Sequence, residues 1–335
     1  MSEHILIIAP AWVGDMVMAQ SLLIQLKRQQ PDCLIDVLAP EWVTPIATRM
    51  MEVRHALPLA LGHGQLDLKQ RYRWGKRLAP TGYQQVFVLP NSFKSALIPY
   101  WANIPQRIGF VGEFRYPLLN HTRRLNKKIL TRTVDRFVSL AVAENAPLPD
   151  IPPPQLSVTK IQNQTTLQRF NLNTDRKCLV LCAGAEYGDA KQWSGEYFAQ
   201  VANQKIAQGW QVWLLGSKND SAINQKIHHL IKDKNACIDL VGKTSLLDAC
   251  DLLASADCVI SNDSGLMHVA AALNKPLIAL YGSSDPHFTP PLSDKAQILS
   301  LNLACSPCFK RVCPLGHKNC LQQLLPEQVL AKIPQ

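Results

Sequence analysis

The sequence lacks several things, and each absence removes a class of function. No apolar run approaches the roughly 18 residues that span a bilayer, so no membrane span is expected. The first residues, Met1-Ser2-Glu3-His4-Ile5, lead straight into an apolar run with no basic leader or small-residue cleavage site. A cytoplasmic protein is expected. No Walker sequence occurs, and the first turn carries only Gly14 where a dinucleotide fingerprint needs three glycines. Gly62-His63-Gly64-Gln65-Leu66-Asp67 approaches that fingerprint, but Asp67 stands in place of the last glycine and no convincing strand precedes it. NAD-dependent enzymes and P-loop NTPases are therefore disfavoured. Zinc-finger His pairs, RRM-type aromatic motifs and basic heptads are also missing, so no nucleic-acid partner is expected.

What is present describes a soluble globular chain. Its 335 residues are 47% hydrophobic, enough for about two domains with their own cores. Lys and Arg outnumber Asp and Glu by 35 to 25, a net charge of +10. Such an excess suits an acidic partner, here a phosphorylated small molecule or an anionic lipid surface. The 10 cysteines are expected to be reduced in a cytosolic chain.

Short apolar runs alternate with segments of helical periodicity, the pattern of a parallel sheet covered on both faces. In the first half, strands are expected at 4–9, 34–38, 85–89 and 107–110, with helices at 16–30, 95–102 and 133–145. Residues 111–132, rich in Arg, Lys and Asn, read as loops. The Pro-dense stretch 146–154 reads as a stiff connector between domains. The pattern then restarts, with strands at 178–182, 211–215, 237–241 and 276–281. Two doubly wound domains are expected, with ligands beyond the carboxyl ends of their strands.

Within the second domain, Asp257-Cys258-Val259-Ile260-Ser261 reads as a buried strand and Leu266 to Leu273 as a helix. Between them lie the turn and capping residues Asn262, Asp263, Ser264 and Gly265. Taken alone this is an ordinary capped helix. Its N-terminus also carries the partial positive charge that holds phosphate. His268, one turn in, is open to a phosphate contact or to a structural role. The loop Ala183-Gly184-Ala185-Glu186-Tyr187-Gly188-Asp189-Ala190-Lys191 ends in a cation able to neutralise a diphosphate, or merely solvated. Asp220 is open to a ribose contact or to helix capping. In the first domain, Asp15 follows Gly14 at the end of the first strand's loop; a general base and a helix N-cap are both open to it. Cys305, Cys308, Cys313 and Cys320 form C-x₂-C-x₄-C-x₆-C, which leaves structural zinc, an iron–sulfur cluster, a disulfide pair and plain thiols open.

Several of these segments resemble the lipopolysaccharide heptosyltransferases, glycosyltransferase family 9. They are Pro10-Ala11-Trp12-Val13-Gly14-Asp15-Met16, Leu89-Pro90-Asn91-Ser92-Phe93-Lys94-Ser95-Ala96-Leu97, the 184–191 loop with Trp193, Asn262-Asp263-Ser264-Gly265-Leu266-Met267-His268 and Phe288-Thr289-Pro290-Pro291-Leu292-Ser293. The likeness runs along nearly the whole chain in the same order. The Trp-Val-Gly-Asp-Met run is lacking in the first type of heptosyltransferase in the family, so the likeness is to the second type.

The resemblance implies an α/β fold of the GT-B type, two doubly wound Rossmann-like domains facing across a cleft. It places an acceptor domain at 1–150, an ADP-sugar domain at 151–320, and a C-terminal helix at 321–335 packing back toward the N-terminal domain. It implies ADP-heptose as donor and the first heptose of the anionic lipopolysaccharide inner core as acceptor. The reaction would be an inverting displacement needing no cofactor and no catalytic metal. By the same resemblance Asp15 is the base, Lys191 binds phosphate, and Asp263, Ser264 and Gly265 with His268 form the diphosphate turn. Glu186 joins the donor site, with Asp220 and Thr244 near the adenosine. Asn91, Ser92, Lys94, Arg107 and Arg115, with Arg123 and Arg124, would meet the acceptor, and the enzyme would sit loosely on the cytoplasmic face of the inner membrane. Ser194 follows Trp193 where Pro is common, and the cysteine-rich tail is absent from some members, so transfer itself does not need it. Two other readings stay open: another GT-B enzyme, of heptosyltransferase I or III type or using UDP-sugars, and a non-catalytic nucleotide- or nucleic-acid-binding protein with a zinc-ribbon-like tail.

Overall fold

A computed structural model describes residues 2–62, 64–144 and 146–334. His63 of the near-fingerprint and Asn145, the expected end of a helix, lie outside the described residues. The chain divides into two compact units, Met1–Leu156 and Ser157–Gln335.

The first unit is built on a sheet of β1 (His4–Ile8), β2 (Leu34–Pro40), β3 (Val53–Leu59), β4 (Gln85–Val88), β5 (Gln106–Phe110) and β6 (His121–Arg123). The second is built on β7 (Cys178–Cys182), β8 (Gln211–Leu214), β9 (Cys237–Asp239), β10 (Cys258–Asn262), β11 (Leu277–Leu280) and β12 (Ala296–Leu299). The strand orders are β3-β2-β1-β4-β5-β6 and β12-β11-β10-β7-β8-β9. Counted within each unit the two orders are the same, and every pairing is parallel. Each sheet reverses its winding once, between β1 and β4 and between β7 and β10. In such sheets ligands gather at the carboxyl ends on either side of that reversal.

The central strands are continuous apolar runs because both faces are covered. Cys178–Cys182 and Cys258–Asn262 are buried throughout. The core of the first unit gathers Leu6, Ile8, Leu38, Val86 and Val88, and that of the second Leu179, Leu181, Val212, Ile260 and Trp193. Each such side chain removed from water stabilises the fold by about 1.5–3 kcal/mol.

The structure adds strands that the sequence pattern hides. β3 contains Arg54, His55 and Pro58, which argue against a buried run. It is drawn in by Arg54, whose Nε and Nη2 donate to the two oxygens of Asp36 at 2.9 and 2.6 Å. Tyr83 donates a third bond to the same carboxylate at 2.6 Å. Burial opposes the charge on Asp36, but these bonds outweigh it and hold the carboxyl below its usual range. β6 lies inside the basic stretch read as loops, and the expected 133–145 helix is regular only over Thr133–Ser139.

Two features bear on the boundaries. The Pro-rich stretch is tied to the first unit: Ser21 donates to the Pro152 carbonyl at 2.6 Å, and Gln20 exchanges bonds with the Gln155 backbone at 2.7 and 2.9 Å. The first unit runs on to Leu156. The C-terminal segment contributes to the core of the second unit. Leu321, Leu324, Val329 and Ile333 belong to its core, and Trp193 Nε1 donates to the Leu324 carbonyl at 2.8 Å.

Candidate active site

In the second unit the chain leaves β7, forms the loop 183–192 and enters the helix Gly195–Ala207, while β10 runs through residues 263 and 264 into the helix Gly265–Ala272. Asn262 fixes these two connections to each other. Its fully buried side chain donates to the Ala183 carbonyl at 2.7 Å and accepts from the Trp193 N–H at 3.1 Å. Both ends of the loop are thereby pinned to β10, a role the sequence, which marks Asn262 as a turn residue, does not reveal.

Lys191 and Asp263, from the two pinned segments, meet at 2.5 Å, with 18% and 5% of their side-chain surface exposed. Next to them Ser264 occupies the N-cap position without a side-chain capping bond; its Oγ lies 3.2 Å from Ser261 Oγ. The first N–H groups of an α-helix have no partner within the helix. This end thus offers donors and a partial positive charge to an anion, with the Lys191 ammonium close by. His268 follows within the same helix. Burial, helped by Lys191 and opposed by Asp263, pushes its pKa down to about 4. It is a neutral imidazole near neutrality, so Lys191 rather than His268 supplies the positive charge here.

The other expected donor residues lie on neighbouring loops of the same edge. Asp220 accepts from the Ser217 N–H and hydroxyl at 2.8 and 2.9 Å, closing a capping box opened by Ser217, while at the N-cap of the helix Ser221–Leu230 its side chain makes no cap bond. It packs so tightly on Gly184 that a Cβ there would lie 2.2 Å from its carboxylate. Glu186 is exposed and accepts from Asn219 Nδ2 at 3.2 Å. Thr244 is half-buried after β9, and its neighbour Ser245 caps the following helix.

The cysteine-bearing segment is a strap on the Lys191 loop. Tyr187 donates to the Phe309 carbonyl at 3.0 Å, Ala190 N–H donates to the Arg311 carbonyl at 3.0 Å, and Lys318 pairs with Asp189 at 2.7 Å. Lys191 and Arg311 lie over the Tyr187 ring, at 5.1 and 5.2 Å from its centre. Gly188 makes the approach possible: its φ is 153°, and a Cβ would stand 2.4 Å from the Arg311 carbonyl oxygen. Cys305, Cys308, Cys313 and Cys320 are free thiols. Burial and then the charges of the other three push the Cys320 thiol up. Yet among the described residues no three His, Cys, Asp or Glu side chains stand where one ion would take them. The zinc and iron–sulfur readings therefore find no ligand set.

In the first unit, Asp15 lies in the first turn of the helix Val13–Gln29, whose N-cap is Trp12. Asp15 is thus not the cap, and its half-buried side chain lines a cavity of about 290 Å³ with Trp12, Asn91, Phe110 and Arg136. An open groove of about 680 Å³ shares Asn91 with it and adds Ser92, Tyr116, Arg124 and Lys127. Arg136, at the cavity wall, was not singled out in the sequence.

Two of the expected acceptor cations bond within the protein. Arg115 is 1% exposed and spends its guanidinium on the Pro90 and Phe110 carbonyls, Asn91 Oδ1 at 3.0 Å and Ser95 Oγ at 3.1 Å. Burial pushes its pKa down to about 10. It shapes the Asn91 loop and is closed to an anion. Arg107 lies near the amino end of β5, away from the cavity, and donates to the Leu118 and Ile104 carbonyls at 2.6 and 2.7 Å. Lys94 is half-buried, and its carbonyl accepts from Arg71 at 3.1 Å.

Comparison with known proteins assigns this geometry. The family model described as glycosyltransferase family 9 (heptosyltransferase) matches residues 71–319. The chain is 43% identical to lipopolysaccharide heptosyltransferase 2 of Escherichia coli K12, covering 98% of this chain and 97% of that protein. It is 47% identical to lipooligosaccharide heptosyltransferase 2 of Haemophilus influenzae Rd, covering 89% and 88%. A solved structure of E. coli ADP-heptose LPS heptosyltransferase II superposes with a TM-score of 0.87 at 40% identity, covering 99% of this chain and 97% of that one. The protein is therefore a glycosyltransferase of two parallel α/β sheets. It belongs to glycosyltransferase family 9, the heptosyltransferases.

Proposed function

We propose that the chain transfers L-glycero-D-manno-heptose from ADP-heptose to the first heptose of the lipopolysaccharide inner core, with inversion at the anomeric carbon. The observation that carries this reading is the near-full-length likeness to proteins named heptosyltransferase 2. The anion-receiving helix end of the second unit and the acid-lined cavity of the first, each taken by itself, support it.

The second unit holds the donor. Its diphosphate lies at the N-terminus of the helix Gly265–Ala272, where Lys191 shares its charge between Asp263 and the phosphate oxygens. Negative charge grows on the diphosphate as the glycosidic bond breaks, so donors fixed in place there lower the barrier more than they aid ground-state binding. Asp263 keeps Lys191 aimed, while neutral His268 adds no repulsion to the cation. The first unit holds the acceptor. Asp15 takes the proton from the attacking hydroxyl, and a positioned base of this kind contributes on the order of 10²–10⁴ in rate. Asn91 and Ser92 orient the sugar, and Lys127 and Arg124 along the groove meet the anionic core.

Family membership sets aside the reading as a non-catalytic nucleic-acid-binding protein. The rival that remains is a different sugar donor. Incubation with ADP-heptose and heptose-truncated lipopolysaccharide should add the mass of one heptose to the acceptor. Transfer from UDP-sugars in its place, or no mass gain from ADP-heptose, would overturn the proposal.

A further inference from the structure

All six strands of the first unit run parallel, so their outgoing loops share one edge. Every one of those loops displays a large apolar side chain to solvent. Trp12 follows β1 and is 46% exposed, and Trp42 follows β2 at 43%. Leu66 and Leu68 follow β3 at 48% and 50%, and Phe93 follows β4 at 39%. Phe114 and Tyr116 follow β5 at 89% and 59%, and Ile129 follows β6 at 69%. The connections at the opposite end of this sheet expose Met51 alone among the described residues, with Tyr72 and Tyr100 on helices. In the second unit, with the same strand order, the loops after β8, β9, β10 and β11 expose none among the described residues. At that edge the second unit exposes Tyr187 after β7 and Phe309, Val312 and Leu315 after β12, so only in the first unit does the display run through every loop.

These loops are tied into one surface. Trp42 Nε1 donates to the Ala11 carbonyl at 2.8 Å, Arg71 donates to the Lys94 carbonyl at 3.1 Å, and Phe93 N–H donates to Glu113 at 2.7 Å. Glu113 and Phe114 both adopt left-handed φ, 44° and 55°. A bulky aromatic is unfavourable there, and here it is held outward with little contact inside the protein. Exposed Lys69, Arg124, Lys127 and Lys128 are interleaved with the apolar groups. Of the acids nearby, Asp67 caps its own helix, Glu113 accepts from Phe93, and exposed Glu41 beside Trp42 is outnumbered by these cations. Aromatic and aliphatic tips among cations, around the Asp15 cavity, fit the headgroup layer of an anionic bilayer.

We propose that this carboxyl-end rim of the first unit is a membrane-docking surface, seating its exposed apolar side chains in an anionic phospholipid bilayer and holding the Asp15 cavity at the headgroup level. The proposal rests on the reading of a lipid-linked acceptor, and its test is separable from that reading. Vesicles of equimolar phosphatidylglycerol and phosphatidylethanolamine should retain the protein on sedimentation, and phosphatidylcholine vesicles should retain it poorly. The double variant Phe114→Asn, Ile129→Ser should lose partition by roughly tenfold with its thermal unfolding unchanged. Lys127→Ala, Lys128→Ala should weaken binding mainly at low salt. Phe114→Asn, Ile129→Ser should transfer to a deacylated soluble acceptor at the parent rate and more slowly to one embedded in vesicles. Vesicle partition of that variant equal to the parent's would overturn the proposal. An equal loss on both acceptors would also overturn it, because the side chains would then serve the acceptor itself. If the parent transfers no heptose, the reading of the reaction fails while the partition measurement still decides the surface.

Discussion

Lys191 Nζ and Asp263 Oδ2 stand 2.5 Å apart at the mouth of a helix whose N-cap side chain makes no capping bond. In the proposed donor site the pair would set the charge available to a diphosphate, because the cation is aimed by a carboxylate that also repels an anion. Lys191→Ala should lower kcat/KM for ADP-heptose by roughly 10²–10³. It should also destabilise the fold, since Asp263 is 5% exposed and a buried charge stripped of its partner costs about 3 kcal/mol. Chemical denaturation alongside kinetics checks both. In Lys191→Ala, Asp263→Asn the stability should largely return while activity stays low, and equal loss of stability in single and double variants would refute the coupling.

Asp15→Asn keeps the shape of the first turn and removes the base. We expect kcat to fall by roughly 10²–10⁴ with little change in donor KM. Donor binding measured by calorimetry should be unaltered, because Asp15 and Lys191 belong to different units.

His268 gives the second unit a pH signature. Its pKa is near 4 in the fold against 6.5 unfolded, so below 6.5 the unfolded chain takes up a proton that the native state refuses. The stability due to the neutral imidazole is fully present above pH 6.5, declines as pH falls, and is gone below about pH 4. The difference amounts to on the order of 3 kcal/mol. His268→Gln should flatten the unfolding curve between those limits. An unchanged slope would mean that another group is responsible.

Gly188→Ala should push the strap carrying residues 309–318 away from the Lys191 loop, because the new Cβ has no room beside the Arg311 carbonyl. We expect a loss of about 1–3 kcal/mol and a raised donor KM with a smaller change in kcat. Faster alkylation of Cys313, whose thiol is held below its usual value by backbone N–H groups, that of Lys318 foremost, would report the displaced strap.

Much of this site was legible in the sequence because chemistry and periodicity are local. The β10 run, its polar turn and its Ala-rich helix mark a strand feeding a helix N-terminus, and a lone Lys closing a small-residue loop stands out. What stayed hidden depends on distances across the fold. Asn262 looks like any turn residue until Ala183 and Trp193 are brought to it. Arg107 and Arg115 look like any other basic side chains, yet one is at the wrong end of its strand and the other is consumed by carbonyls. Trp12 holds the N-cap position that the sequence left open to Asp15, and it does so without a side-chain capping bond. Arg54 disguised β3 as a polar segment because its partner, Asp36, lies on a different strand.

The two sheets have one strand order between them, and the same topological place carries opposite polarity. After the first strand of one unit comes a carboxyl group, Asp15; after the first strand of the other comes an ammonium, Lys191. The scaffold is indifferent to the sign of the charge it displays there. A doubled architecture can thus be differentiated by a handful of substitutions at one loop in each copy, with no change to either core.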